Sequence, residues 1–78
     1  MMNRRDLEKW ATENGTGDTQ NRHVNGIDYV FCPMNDGWVA VFEYLEGVYI
    51  PKIQAKDEAH AAGYCAMREC VPVPVTMI

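Results

Sequence analysis

The chain reads as a single α+β domain, spanning 1–78, in which a three-stranded antiparallel sheet over 27–54 is flanked by a helix at each end. Three observations predict this α-β-β-β-α order. Strand-like runs recur at 27–32, 38–44 and 48–54, Gly37 and Gly47 mark the turns between them, and helical spacing appears on both sides of the sheet. A chain of 78 residues buries only roughly 60–65% of the surface that its unfolded form exposes. It supports one compact core, and a deep enclosed active site would consume much of it. The hydrophobic fraction of 47% and charged fraction of 23% are those of an ordinary globular domain, which argues against disorder.

Asn3 followed by Asp6 forms a capping-box pattern, and Leu7, Trp10 and Ala11 share one helical face. A short helix is therefore expected over 4–13, pinned by Trp10 and stopped by Asn14-Gly15. The polar stretch 15–25, rich in Gly, Thr, Asn and Asp, reads as a surface loop. Loops this long in a small domain are often mobile or functional.

In the first run, Ile27, Tyr29 and Phe31 fall on one side. The second places Trp38, Ala40, Phe42 and Tyr44 on one side and Val39, Val41 and Glu43 on the other, so both faces are largely apolar and it is expected at the sheet centre. Leu45-Glu46-Gly47 makes a tight reversal into the third run. There Pro51, with no N–H to give, assigns the strand to an edge or marks a bulge.

A second helix is expected over 56–70, with Asp57 and Glu58 complementing its dipole in the first turn. At roughly 100° per residue, Ala59, Ala62, Gly63, Ala66 and Cys70 share one face, while Ala61, Tyr64 and Arg68 point away. The small face is the expected buried one, interlocking with the aromatic side chains of the sheet, so that Leu at position 62 or 66 should overpack the core. The tail over 71–78 alternates Val and Pro, so an extended form offers N–H groups along one edge only. It is open whether it closes a sheet edge, remains a free end or docks into a partner.

Formal charge is −4, with eleven Asp/Glu against seven scattered Lys/Arg. Nucleic-acid binders depend on clustered cations, so a direct DNA or RNA role is disfavoured, whereas a basic protein surface is a suitable partner. Cys32, Cys65 and Cys70 form neither a disulfide framework nor a C-x-x-C motif, which fits a reducing compartment. No apolar run has membrane-spanning length and the N-terminus lacks a signal-peptide core, so a cytoplasmic protein without a membrane partner is expected.

His60 and Cys65, like Cys65 and Cys70, lie five positions apart and do not share a helical face, which gives no zinc-like ligand pair. Gly15-Thr16-Gly17 neither follows a strand nor opens a helix, so it lacks the context of a phosphate-binding loop. The expectation is a non-enzymatic chain with no cofactor and no metal. A sheet apolar on both faces needs two covers, and a second helix on one side with only partial cover on the other would leave some of Tyr29, Trp38, Tyr44 and Tyr49 at the surface. The candidate partner-binding patch is therefore Trp38, Tyr44 and Tyr49 rimmed by Asp28, Asp36, Glu43 and Glu46. A second copy of the chain is an alternative partner.

Three resemblances bear on function. The predicted element order, and the run 55–62 that opens the last helix, is similar to that of double-stranded RNA-binding domains. In that family several lysines at this helix start grip phosphates, and here only Lys56 is present, beside Asp57 and Glu58. Asp36-Gly37-Trp38-Val39-Ala40, Leu45-Glu46-Gly47-Val48 and Glu58-Ala59 resemble the strand-and-helix pattern of HicB-type antitoxins, over about a third of the chain and without the DNA-binding segment. In size, acidity and lack of catalytic motifs the chain also resembles small phage-encoded inhibitors, including anti-CRISPR proteins. That resemblance implies stoichiometric binding to a host nucleic-acid-handling complex in the bacterial cytosol.

Overall fold

The computed structural model describes residues 2–70 and has the α+β class, with one strand more than expected. The order is α1 (Arg4–Asn14), β1 (Gln20–Val24), β2 (Ile27–Pro33), β3 (Val39–Leu45), β4 (Val48–Ala55) and α2 (Glu58–Cys70). All four strands pair antiparallel in the order β1-β2-β3-β4, so β2 and β3 are both interior and β1 and β4 are the edges. The expected tail over 71–78 lies outside the described residues, as do the side chains of Arg68 and Cys70. No helix among the described residues is long and apolar enough to cross a membrane.

The extra strand lies in the stretch expected to be a loop. Asn25 and Gly26 both have positive φ, 51° and 83°, which matches the two-residue hairpin turn that follows the natural twist of paired strands. Val24 pairs with Ile27 across that turn, and Gln20 reaches Phe31. β1 escapes a hydrophobicity reading because its inward positions are mainly polar. Gln20, Arg22 and Val24 are half-buried, and the Arg22 guanidinium lies 5.2 Å from the centre of the Phe31 ring. The β3–β4 turn repeats the geometry with Glu46 at φ 50° and Gly47 at φ 86°.

β4 meets both expectations for Pro51. It is an edge strand, and it carries a bulge in which Phe42 pairs with Pro51 and Val41 with Ile53, leaving Lys52 without a partner. Lys52 instead reaches Glu43, with Nζ 3.2 Å from Oε1.

The sheet divides the core into two layers. On one face α1 sets Leu7 and Ala11 against Val30, Cys32, Ala40, Phe42 and Tyr49, with Trp10 edge-on to Phe42 at 5.2 Å. Burying Leu7 fully contributes on the order of 1.5–3 kcal/mol. The capping box is present, with Asp6 N–H donating to Asn3 Oδ1 at 2.8 Å and Asn3 N–H donating to Asp6 Oδ2 at 3.2 Å. On the other face α2 sets Ala61 and Cys65 against Tyr29, Phe31, Val39, Val41 and Ala55.

That second layer corrects the expected orientation of α2. Ala59, Ala62, Gly63 and Ala66 face solvent, Ala61 and Cys65 are buried, and Tyr64 is half-buried. Burying the Tyr64 side of the helix removes more apolar area from water than burying a stripe of alanine and glycine, and area decides which face wins. The start of the helix supports the same rotation. It begins at Glu58 rather than 56, with Asp57 Oδ1 accepting from His60 N–H at 2.8 Å and Glu58 Oε2 taking Arg22 Nη2 at 2.6 Å.

Candidate functional site

Cross-strand register places His23, Asp28, Tyr44 and Tyr49 in one row across all four strands, because His23 pairs with Asp28, Asp28 with Tyr44, and Tyr44 with Tyr49. Directly paired residues share a face, so this row lies on the α1 side, two residues along from Val30 and Phe42. α1 covers Val30 and Phe42 and, at the β4 end of the row, Tyr49, but leaves His23, Asp28 and Tyr44 uncovered. The result is an open cleft of about 380 Å³ whose walls include Asn21, His23, Asp28, Val30, Tyr44 and Tyr49.

The polar groups of the cleft are ordered. His23 Nδ1 and Asp28 Oδ1 lie 2.6 Å apart, with both side chains more than half exposed. Tyr44 is 40% exposed and leans on the Tyr49 ring at 5.0 Å with the planes tilted by 51°. Tyr49 is held from behind, since its N–H donates to the Met2 carbonyl at 2.7 Å and its hydroxyl accepts from Arg4 Nη1 at 3.4 Å. Arg4 also donates to Thr19 Oγ1 and Glu8 Oε2, which ties the start of α1 to the residue preceding β1.

The predicted patch is thus split. Asp28, Tyr44 and Tyr49 come together, although Tyr49 is buried at 9% exposure and acts as the support for Tyr44 rather than as exposed surface. Tyr29, the other aromatic expected as a surface candidate, is core on the α2 face. Glu43 alternates to that same side and is only 15% exposed at its side chain, where Lys52 neutralises it. Asp36 and Trp38 sit at the opposite end of the sheet, in the β2–β3 turn, where Asp36 Oδ1 accepts from Trp38 N–H at 3.0 Å. Trp38 is 39% exposed. Glu46 occupies the β3–β4 hairpin tip next to the cleft row. Asn21 and His23 escaped the sequence reading because they depend on β1, and Asn25-Gly26 was the signal that could have revealed it.

A second, more apolar hollow of about 350 Å³ lies between Trp10, Met2 and the β4 bulge. Among the described residues no three His, Cys, Asp or Glu side chains gather to hold a metal ion. Cys32 and Cys65 are free and buried. Burial pushes the Cys32 thiol up to about 11, against an opposing pull from Arg4. The thiol therefore stays protonated and unreactive near neutrality. His60 is tied to the start of α2, its Nδ1 accepting from Lys56 N–H at 3.2 Å. No family model, no curated protein and no solved structure matches this chain.

Proposed function

We propose that the chain is a non-enzymatic protein-binding module, an inhibitor of phage or mobile-element origin of the anti-CRISPR or wider anti-defence type. It binds a host nucleic-acid-handling complex stoichiometrically in the bacterial cytosol. The observation that carries the binding role is the uncovered end of the α1 face. There an exposed aromatic, Tyr44, and an exposed carboxylate, Asp28, stand side by side on rigid interior strands. Tyrosine gives large contact area at low entropic cost, and a net charge of −4 favours a basic surface of the kind that holds nucleic acid. The inhibitor class rests on small size, acidity and the lack of catalytic motifs.

The test is an affinity pulldown from a bacterial host read by mass spectrometry, followed by co-purification of the captured complex. A stoichiometric complex weakened by Glu46→Lys supports the proposal. Failure to bind any component of such host machinery sinks the host-target claim.

The nucleic-acid reading depended on the order of one helix, three strands and one helix, and the fourth strand departs from it. A filter-binding assay at low salt, where even weak electrostatic binders are retained, separates the two readings. Retention of duplex RNA, duplex DNA or single strands would favour nucleic acid.

A further inference from the structure

We infer that the cleft beside α1 receives an arginine side chain of the protein partner, its guanidinium lying on the Tyr44 ring and bridging to the unused carboxylate oxygen of Asp28. This rests on the protein-binding reading and names the group that the partner presents.

The charges of the cleft point to a cation. Asp28 gives Oδ1 to His23, and among the described residues Oδ2 has no partner. The cations close to the cleft, Arg22 in its lining and Arg4 behind Tyr49, are committed elsewhere. Arg22 is held over Phe31 and bonded to Gln20 and Glu58, and Arg4 is bonded to Glu8, Thr19 and Tyr49. Neither is bonded to Asp28, so the cleft presents half a carboxylate to an incoming donor. The net charge of −4 draws cationic surfaces toward the chain before any contact forms.

Geometry selects arginine over lysine. Asp28 and Tyr44 are direct cross-strand partners, so their Cβ atoms stand about 4.5–5.5 Å apart on one face. A planar guanidinium can stack on the ring and donate to the carboxylate at once, whereas an ammonium is a compact point charge that cannot stack. Tyr49 braces the Tyr44 ring at 5.0 Å, so the stacking surface is positioned before binding. At about 380 Å³ and open to solvent, the cleft lies near the lower end of ligand sites, which run from roughly 300 to 1,000 Å³. That size suits one long side chain.

The probe is a peptide, acetyl-Gly-Arg-Gly-amide, titrated into the full ¹⁵N-labelled chain and followed by amide chemical shifts. Saturable shifts at Asn21, His23, Asp28 and Tyr44 are expected. The lysine peptide should bind more weakly, and the citrulline peptide, which keeps the shape without the charge, should move these resonances little. Asp28→Asn, an exposed and nearly isosteric change, should keep the native spectrum and weaken arginine binding by roughly tenfold, the order expected for one hydrogen bond between charged groups.

Equal shifts with citrulline, shifts centred elsewhere, no shift at all, or an unchanged affinity in Asp28→Asn would each overturn the assignment. Co-purification separates this from the broader proposal. A host complex captured equally well by the parent and by Asp28→Asn removes the arginine cleft and leaves the binding module. Arginine-selective shifts without any captured host complex do the reverse.

Discussion

Replacing Gly15 by Ala is expected to be among the most damaging single-methyl additions in this domain. The backbone at Gly15, with φ −153° and ψ −152°, is ordinary extended chain, so the penalty comes from contact and not from dihedral strain. Gly15 lies against the end of β2, where it bridges to Met34. A Cβ there would fall inside the van der Waals shell of the Pro33 carbonyl oxygen, 3.0 Å from its carbon and 3.1 Å from Met34 Cα. All three atoms are backbone, so no side chain can rotate away. Relief requires the end of α1 to move off the sheet, which loosens two bonds, Thr16 N–H to the Pro33 carbonyl at 3.4 Å and Asn35 N–H to the Asn14 carbonyl at 3.1 Å. Overpacking of about 1–3 kcal/mol and roughly 0.5–1.5 kcal/mol for each bond sum to about 2–6 kcal/mol. In a domain of this size that lowers Tm by roughly 10–50 °C. Gly63→Ala is the matched control, because its Cβ meets nothing within 4 Å and it sits inside α2, where alanine is favoured by about 0.5–1 kcal/mol. Thermal and urea melts of both variants decide the matter. A Gly15→Ala chain within about 0.5 kcal/mol of the parent, the range of a neutral surface change, would refute the close approach of α1 to β2.

The rotation of α2 is tested by a neighbouring pair: Ala61→Leu should cost about 1–3 kcal/mol in urea melts, while Ala62→Leu stays within about 0.5 kcal/mol of the parent. The reverse ranking would restore the small-residue face to the core. Cys32 predicts a loss of stability in alkali: its thiol is raised from 9.0 to about 11 in the fold, so below pH 9 it is protonated in both states, and between these values only the unfolded chain releases the proton. Stability should therefore fall across that window, and Cys32→Ala should flatten the slope of denaturant melts taken from pH 8 to 11. An unchanged slope would remove Cys32 as the cause.

How much of this was legible depended on whether a signal was carried by one residue or by a comparison of areas. The capping box at Asn3 and Asp6, the stop at Asn14-Gly15 and the edge and bulge at Pro51 are local, and each appears where the sequence places it. β1 was hidden because its inward side chains are Gln20, Arg22 and Val24, and a guanidinium stacked on Phe31 does the covering that an apolar residue usually does. The orientation of α2 was misleading for another reason. Its alanine stripe has clean helical spacing, but spacing reports amphipathicity without saying which face removes more surface from water. Of the candidate site, Asp28, Tyr44 and Tyr49 were found as residue types, while their gathering into one row depends on hairpin register and on a strand that was not foreseen.

The cleft exists because α1 crosses the sheet obliquely, from the Tyr49 end of the edge strand β4 to the far end of β2, which leaves the β1–β2 hairpin corner uncovered. The helix is fixed at both ends. Met2 bridges to Tyr49 beside its start, and Gly15 bridges to Met34 beyond its finish. Between those anchors Leu7 and Trp10 pack against Val30 and Phe42, and the two bridges hold the helix away from the corner that contains His23 and Asp28. The opening is therefore present with both ends of the helix bridged to the sheet. A partner that uses it meets a surface whose ordering entropy was lost during folding, which is the condition under which a small patch binds tightly for its area.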